Sequence, residues 1–111
     1  MPDRSAAAAS TFVQRLTDPG YRLHGEDPAT ATAKDASRWA ETYEKLIRFK
    51  RELIELCQRY ADQAEPEVAR AIRETDMIML EMQVSRFELK RDYWRIRATE
   101  LAGNGRRGGD S

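Results

Sequence analysis

Between residues 33 and 102 the apolar positions recur at steps of three and four, the spacing that keeps side chains on one side of an α-helix. One run passes through Trp39, Tyr43, Leu46, Lys50, Leu53, Cys57, Tyr60 and Ala64. Another passes through Val68, Ile72, Thr75, Met79, Met82, Arg86, Leu89, Tyr93 and Ile96. Carried on unchanged, the first run would land on Glu67, Ala71 and Glu74, so the register slips by one residue at Pro66. Proline inside a helix costs about 3 kcal/mol, yet it suits the first turn of a new one. The pattern therefore predicts helices over 33–63 and 66–102, folded back at Pro66 into a long antiparallel, coiled-coil-like hairpin. A kinked single rod is the alternative. Thr32 and Asp35 have the spacing of a capping box at the start of the first helix, with aspartate in the place of the usual glutamate or glutamine.

The flanks are less periodic. Residues 1–32 read as an N-terminal arm. Ala6 to Ala9, Phe12, Val13 and Leu16 predict a short helix near 6–17, stopped by Asp18-Pro19-Gly20. Residues 21–32 follow as a linker with Gly25 and Pro28, anchored by Tyr21 and Leu23. Gly103-Asn104-Gly105 is expected to end the second helix and to leave 103–111 as a disordered tail. The fold class is all-α.

Each long helix carries a second stripe: Ala40, Ile47, Ile54 and Ala61 on the first, and Met77, Leu80, Val84, Phe87, Arg91, Trp94, Ala98 and Leu101 on the second. A lone pair of helices hides one strip on each. Leaving large apolar side chains in water forfeits about 1.5–3 kcal/mol apiece. The chain is thus expected to form a homodimer, a four-helix bundle, whose dimer or partner interface is lined by Leu80, Val84, Phe87, Trp94, Leu101, Ile47 and Ile54.

Composition narrows the function. The 111 residues suffice for one domain, and 19 basic residues balance 19 acidic ones. Such balance disfavours a nucleic-acid partner. No apolar run approaches the roughly 20 residues of a membrane span, and Met1 to Ser10 lacks the pattern of a secretory leader. A soluble cytoplasmic protein is expected. Glu41–Lys45, Glu44–Arg48, Arg51–Glu55, Glu55–Arg59 and Arg70–Glu74, all four apart, mark a solvated face.

Candidate chemistry is sparse. Glu74, Glu81 and Glu88 recur every seven residues, but the one histidine, His24, falls in the linker, so no metal or cofactor is expected. Cys57 sits in an apolar stripe without a histidine or asparagine placed to activate it, and no catalytic set emerges. Charge is more informative. From 86 to 107 seven basic residues face three acidic ones. With equal rise along both helices, residues facing each other across the hairpin sum to about 131, which sets Lys50 opposite Glu81 and Arg86 opposite Glu44 or Lys45. The expected function is a non-enzymatic protein-interaction or regulatory module built on a self-associating hairpin. The rival is a sensor that binds an anionic metabolite or nucleotide through Arg86, Arg91, Tyr93, Trp39 and Tyr43.

Overall fold

The structure is a computed structural model that describes residues 22–109, with side chains as far as residue 103. The expected helix near 6–17, and Tyr21, lie outside the described residues. After an opening loop the described chain is all helical: α1 (Ala33–Gln63), α2 (Pro66–Glu74) and α3 (Asp76–Gly109).

α1 begins where its cap dictates. Thr32 is extended, its hydroxyl accepts the Asp35 N–H at 3.1 Å, and the Asp35 carboxylate accepts the Thr32 N–H at 3.1 Å. Two backbone donors that the first turn leaves unpaired are thereby satisfied. At the other end Ala64 and Glu65 are both extended, as the residue before a proline must be, and Pro66 opens α2.

Two features depart from the sequence expectation. The segment 66–102 is not one helix. It bends at Thr75, whose backbone leaves the helical region with φ −122° and ψ −77°. The hydrogen bonds from the Thr75 N–H to the Ala71 carbonyl and from the Met79 N–H to the Thr75 carbonyl, both 3.0 Å, hold the chain on either side. The Thr75 hydroxyl also donates to the Ala71 carbonyl. Thr42 and Thr99 make the same hydroxyl bond to the preceding turn without interrupting their helices, so it accompanies the bend at Thr75 and does not by itself account for it. In addition, α3 does not stop at Gly103 but continues to Gly109. Glycine lowers helix propensity by about 1 kcal/mol relative to alanine, but it keeps its N–H and brings no clash, so it discourages a helix without forbidding one.

α1 and α3 lie side by side. Trp39 stacks near Trp94 with ring centres 6.4 Å apart, Tyr43 meets Phe87 at 5.7 Å, and Arg51 pairs with Glu88 at 3.6 Å. Residue numbers therefore fall along α3 as they rise along α1. Arg73 ties α2 back to Asp62 of α1 at 2.8 Å. The core consists of Ala36, Ala40, Tyr43, Ile47, Val84, Phe87 and Trp94, with Leu23, Leu46, Ile54, Ala98 and Leu101 packed around it.

The two stripes of the second segment are therefore turned the opposite way from the sequence reading. The stripe expected on an outer interface, Val84, Phe87, Trp94 and Leu101, faces α1, whose Ile47 and Ile54, expected on the same interface, turn toward it; Leu80 is half-buried. The stripe expected inside faces out, with Met82 51%, Leu89 62% and Ile96 62% exposed. Volume and polarity explain the choice. Trp94 and Phe87 remove more apolar surface from water than the thinner side chains opposite them. Each stripe carries one arginine, but Arg91 of the inner stripe finds a carboxylate on α1, Glu44 at 2.8 Å. Among the described residues α1 and α3 form a single layer of helices, and Met82, Leu89 and Ile96 on its outer face stay exposed.

Candidate functional site

The loop before α1 holds a buried carboxylate that the periodic pattern does not reveal. Leu23 and Glu26 close a tight turn: the Glu26 N–H donates to the Leu23 carbonyl at 3.0 Å, and the Leu23 N–H donates to Glu26 Oε1 at 2.9 Å. Gly25 makes the turn possible with φ +84°, a backbone state that side chains with a Cβ disfavour. Asp27 braces the next residues by accepting from the Ala29 N–H and the Thr30 hydroxyl. Glu26 is thereby pushed in between the long helices, where it is only 6% exposed.

Both of its oxygens are engaged. Oε1 accepts the Tyr43 hydroxyl at 2.7 Å, and Oε2 accepts the Trp94 Nε1–H at 2.6 Å, with Lys90 Nζ at 3.5 Å. Trp39 stacks on Trp94, and Tyr93 meets Trp94 edge-on with ring centres 5.2 Å apart. This is the basic, aromatic end at which the sequence suggested an anionic ligand. The anion that the structure places there is the chain's own Glu26.

The remaining candidate residues are divided between two faces. Arg91 Nη1 donates to Glu44 at 2.8 Å, and Arg91 Nε donates to Asp92 at 3.1 Å. Arg95 and Arg48 also approach Glu44, at 3.6 and 4.0 Å. The Arg91 hydrogen bond, helped by the surrounding guanidinium charges, holds the Glu44 carboxyl below the usual glutamate range, and the same bond raises Arg91. Arg86 is expected opposite Glu44 or Lys45, but the place at Glu44 is taken by Arg91. Tyr43 and Phe87 meet within about one residue of the expected register, and the long Arg91 side chain reaches back from one helical turn further on. No Lys50–Glu81 ion pair forms among the described residues; Lys50 Nζ lies 5.8 Å from the centre of the Phe49 ring. Arg86 and Arg91 are therefore not brought together.

Arg86 lies on the outward side of α3. There it lines a shallow hollow of about 360 Å³ with Ile78, Glu81, Met82, Ser85 and Leu89. Tyr93 and Ile96 continue the same exposed strip toward the C-terminus, and Phe49, Leu56 and Tyr60 form an exposed apolar row on α1. A second hollow, about 460 Å³, lies beside the Glu44 cluster and is lined by Ser37, Ala40, Glu41, Glu44, Arg95, Ala98 and Thr99.

Among the described residues no group of three or more His, Cys, Asp or Glu is placed to hold a metal. No helix among them is long and apolar enough to cross a membrane. Cys57 is a half-buried free thiol. Glu26 carried no spacing signal in the sequence. The available clue was that a core containing Trp94 and Tyr43 needs a partner for an indole N–H and a phenol O–H. Comparison with family models, with curated proteins and with solved structures finds no match.

Proposed function

We propose that this chain is a non-enzymatic protein-interaction or regulatory module: an antiparallel, coiled-coil-like helical hairpin that self-associates into a four-helix bundle. The observation that carries the reading is the apolar strip Met79, Met82, Leu89, Tyr93 and Ile96, which stays exposed after the contact between α1 and α3 has been filled. Contiguous apolar surface of this kind marks a binding face on a water-soluble helix layer. A second layer removes it from water, and large side chains contribute about 1.5–3 kcal/mol each when fully buried. The free thiol of Cys57 suits a reducing cytoplasm.

The anion-sensor reading is weaker on the same geometry. Arg91 is bonded to Glu44 and Asp92, and the polar tips of Tyr43 and Trp94 are bonded to Glu26. An incoming anion would first have to displace these carboxylates.

Sedimentation equilibrium tests the proposal. The parent protein is expected to be a dimer at micromolar concentration, and Leu89→Glu is expected to halve the mass with helix content unchanged. A parent that stays monomeric at tens of micromolar ends the reading.

A further inference from the structure

Accepting self-association, we propose that a second copy of this chain docks α3 against α3 in the opposite direction, about a two-fold axis between Arg86 and Leu89, with Tyr93 of each copy seated in the hollow of the other. The proposal rests on the interaction-module reading and adds the face, the direction and the register.

The strip is self-complementary in shape. Met79, Met82, Arg86, Leu89, Tyr93 and Ile96 alternate by three and four, as the seam of a helix pair does. The hollow lies at the N-terminal half of this strip, between Ile78 and Leu89, and the exposed Tyr93 and Ile96 lie at the C-terminal half. A two-fold operation needs one patch to serve as both surfaces, and it brings each hollow onto the other copy's protruding half. In that register Met79 faces Ile96, Met82 faces Tyr93, and Arg86 faces Leu89.

Charge selects the direction. Glu74, Asp76 and Glu81 make the first part of the strip's surroundings acidic, with no basic residue between 74 and 81. From 86 to 97 the basic residues not drawn to Glu26 or Glu44 on the α1 side are Arg86 and Arg97. Opposed directions lay the acidic half of one copy along the half of the other that carries Arg86 and Arg97. A shared direction stacks Arg86 on Arg86 at the seam, where partial loss of water strengthens the repulsion.

The area reaches the lower end of what a stable pair needs. Ile78, Met79, Met82, Leu89, Tyr93 and Ile96 are all exposed. At their fractional exposures they offer roughly 600 Å² per copy, the lower edge of the roughly 600–1,000 Å² per partner in a standard stable interface.

Disulfide mapping tests the arrangement, in a Cys57→Ser background with helix content checked by circular dichroism. Met79→Cys and Ile96→Cys are oxidised separately and as a mixture, and Met82→Cys with Tyr93→Cys forms a second pair. Opposed helices give a cross-linked dimer only in the mixtures, because each single cysteine lies roughly 16–26 Å from its own copy along the strip. Self-cross-linking of Met79→Cys overturns the proposal in favour of a shared direction. A parent dimer that yields no disulfide in either mixture also overturns it, since α3 is then not the contact. A parent monomer overturns the interaction-module reading itself, which sedimentation reports independently.

Discussion

At the scale of single residues, the molecule depends on two carboxylates in different settings. Glu26 is buried with three side-chain donors aimed at it. Removing it leaves an indole N–H, a phenol O–H and a nearly buried ammonium facing one another. Glu26→Ala is therefore expected to lower unfolding free energy by about 3 kcal/mol, measured by urea titration. Trp94 fluorescence should shift to the red as water enters. Glu44 lies at the surface, and its effect appears through pH. Its folded-state pKa is depressed chiefly by the Arg91 hydrogen bond, and that of Asp35 is depressed by the Thr32 cap. The unfolded chain therefore takes up protons first as pH falls, so the stabilisation present at neutral pH is lost on acidification below the ordinary values of 4.5 and 3.8. Thermal melts between pH 7 and pH 3 should show Tm falling with pH, and Glu44→Gln should flatten that slope. An unchanged slope in the variant removes Glu44 from the account.

At the scale of elements, the caps and the proline were legible because their chemistry is local. Thr32 with Asp35 marks the start of α1, and Pro66 marks the start of α2. Thr32→Ala is expected to cost about 1 kcal/mol of stability, read as a lower Tm, with little further loss when Asp35→Ala is added because the two hydrogen bonds act as one device. The bend at Thr75 was harder to see. Threonine is common in helices, and nothing in its immediate neighbours announces that its backbone will leave the helical region. The choice between the two stripes of α3 was illegible for a different reason. Both have helical spacing, and periodicity does not state which one meets α1. Trp94 settles it by size and by its N–H, whose acceptor sits 68 residues away in a loop with no periodic signal. A pattern confined to one helix carries no trace of such a distant partner.

At the scale of the whole molecule, two apolar stripes on one rod should respond to mutation in different ways. Phe87 belongs to the inner stripe and Leu89 to the outer. Phe87→Ala is expected to remove about 3–5 kcal/mol of stability by leaving a cavity, at any protein concentration. Leu89→Glu should change the mass in solution and abolish the dependence of Tm on concentration that a dimer shows. Equal effects of the two substitutions on the unfolding of dilute protein would mean that the stripes are not divided as described.

The clasp made by Glu26 also has a consequence in time. It joins a loop ahead of α1 to Trp94 near the far end of the chain, and so closes a ring that forms only after both long helices have met. Closing so long a ring costs loop entropy, which favours its forming late in folding. Stopped-flow measurements on Glu26→Ala should find the refolding rate nearly unchanged and unfolding faster by about a hundredfold, the signature of a contact made last and released first.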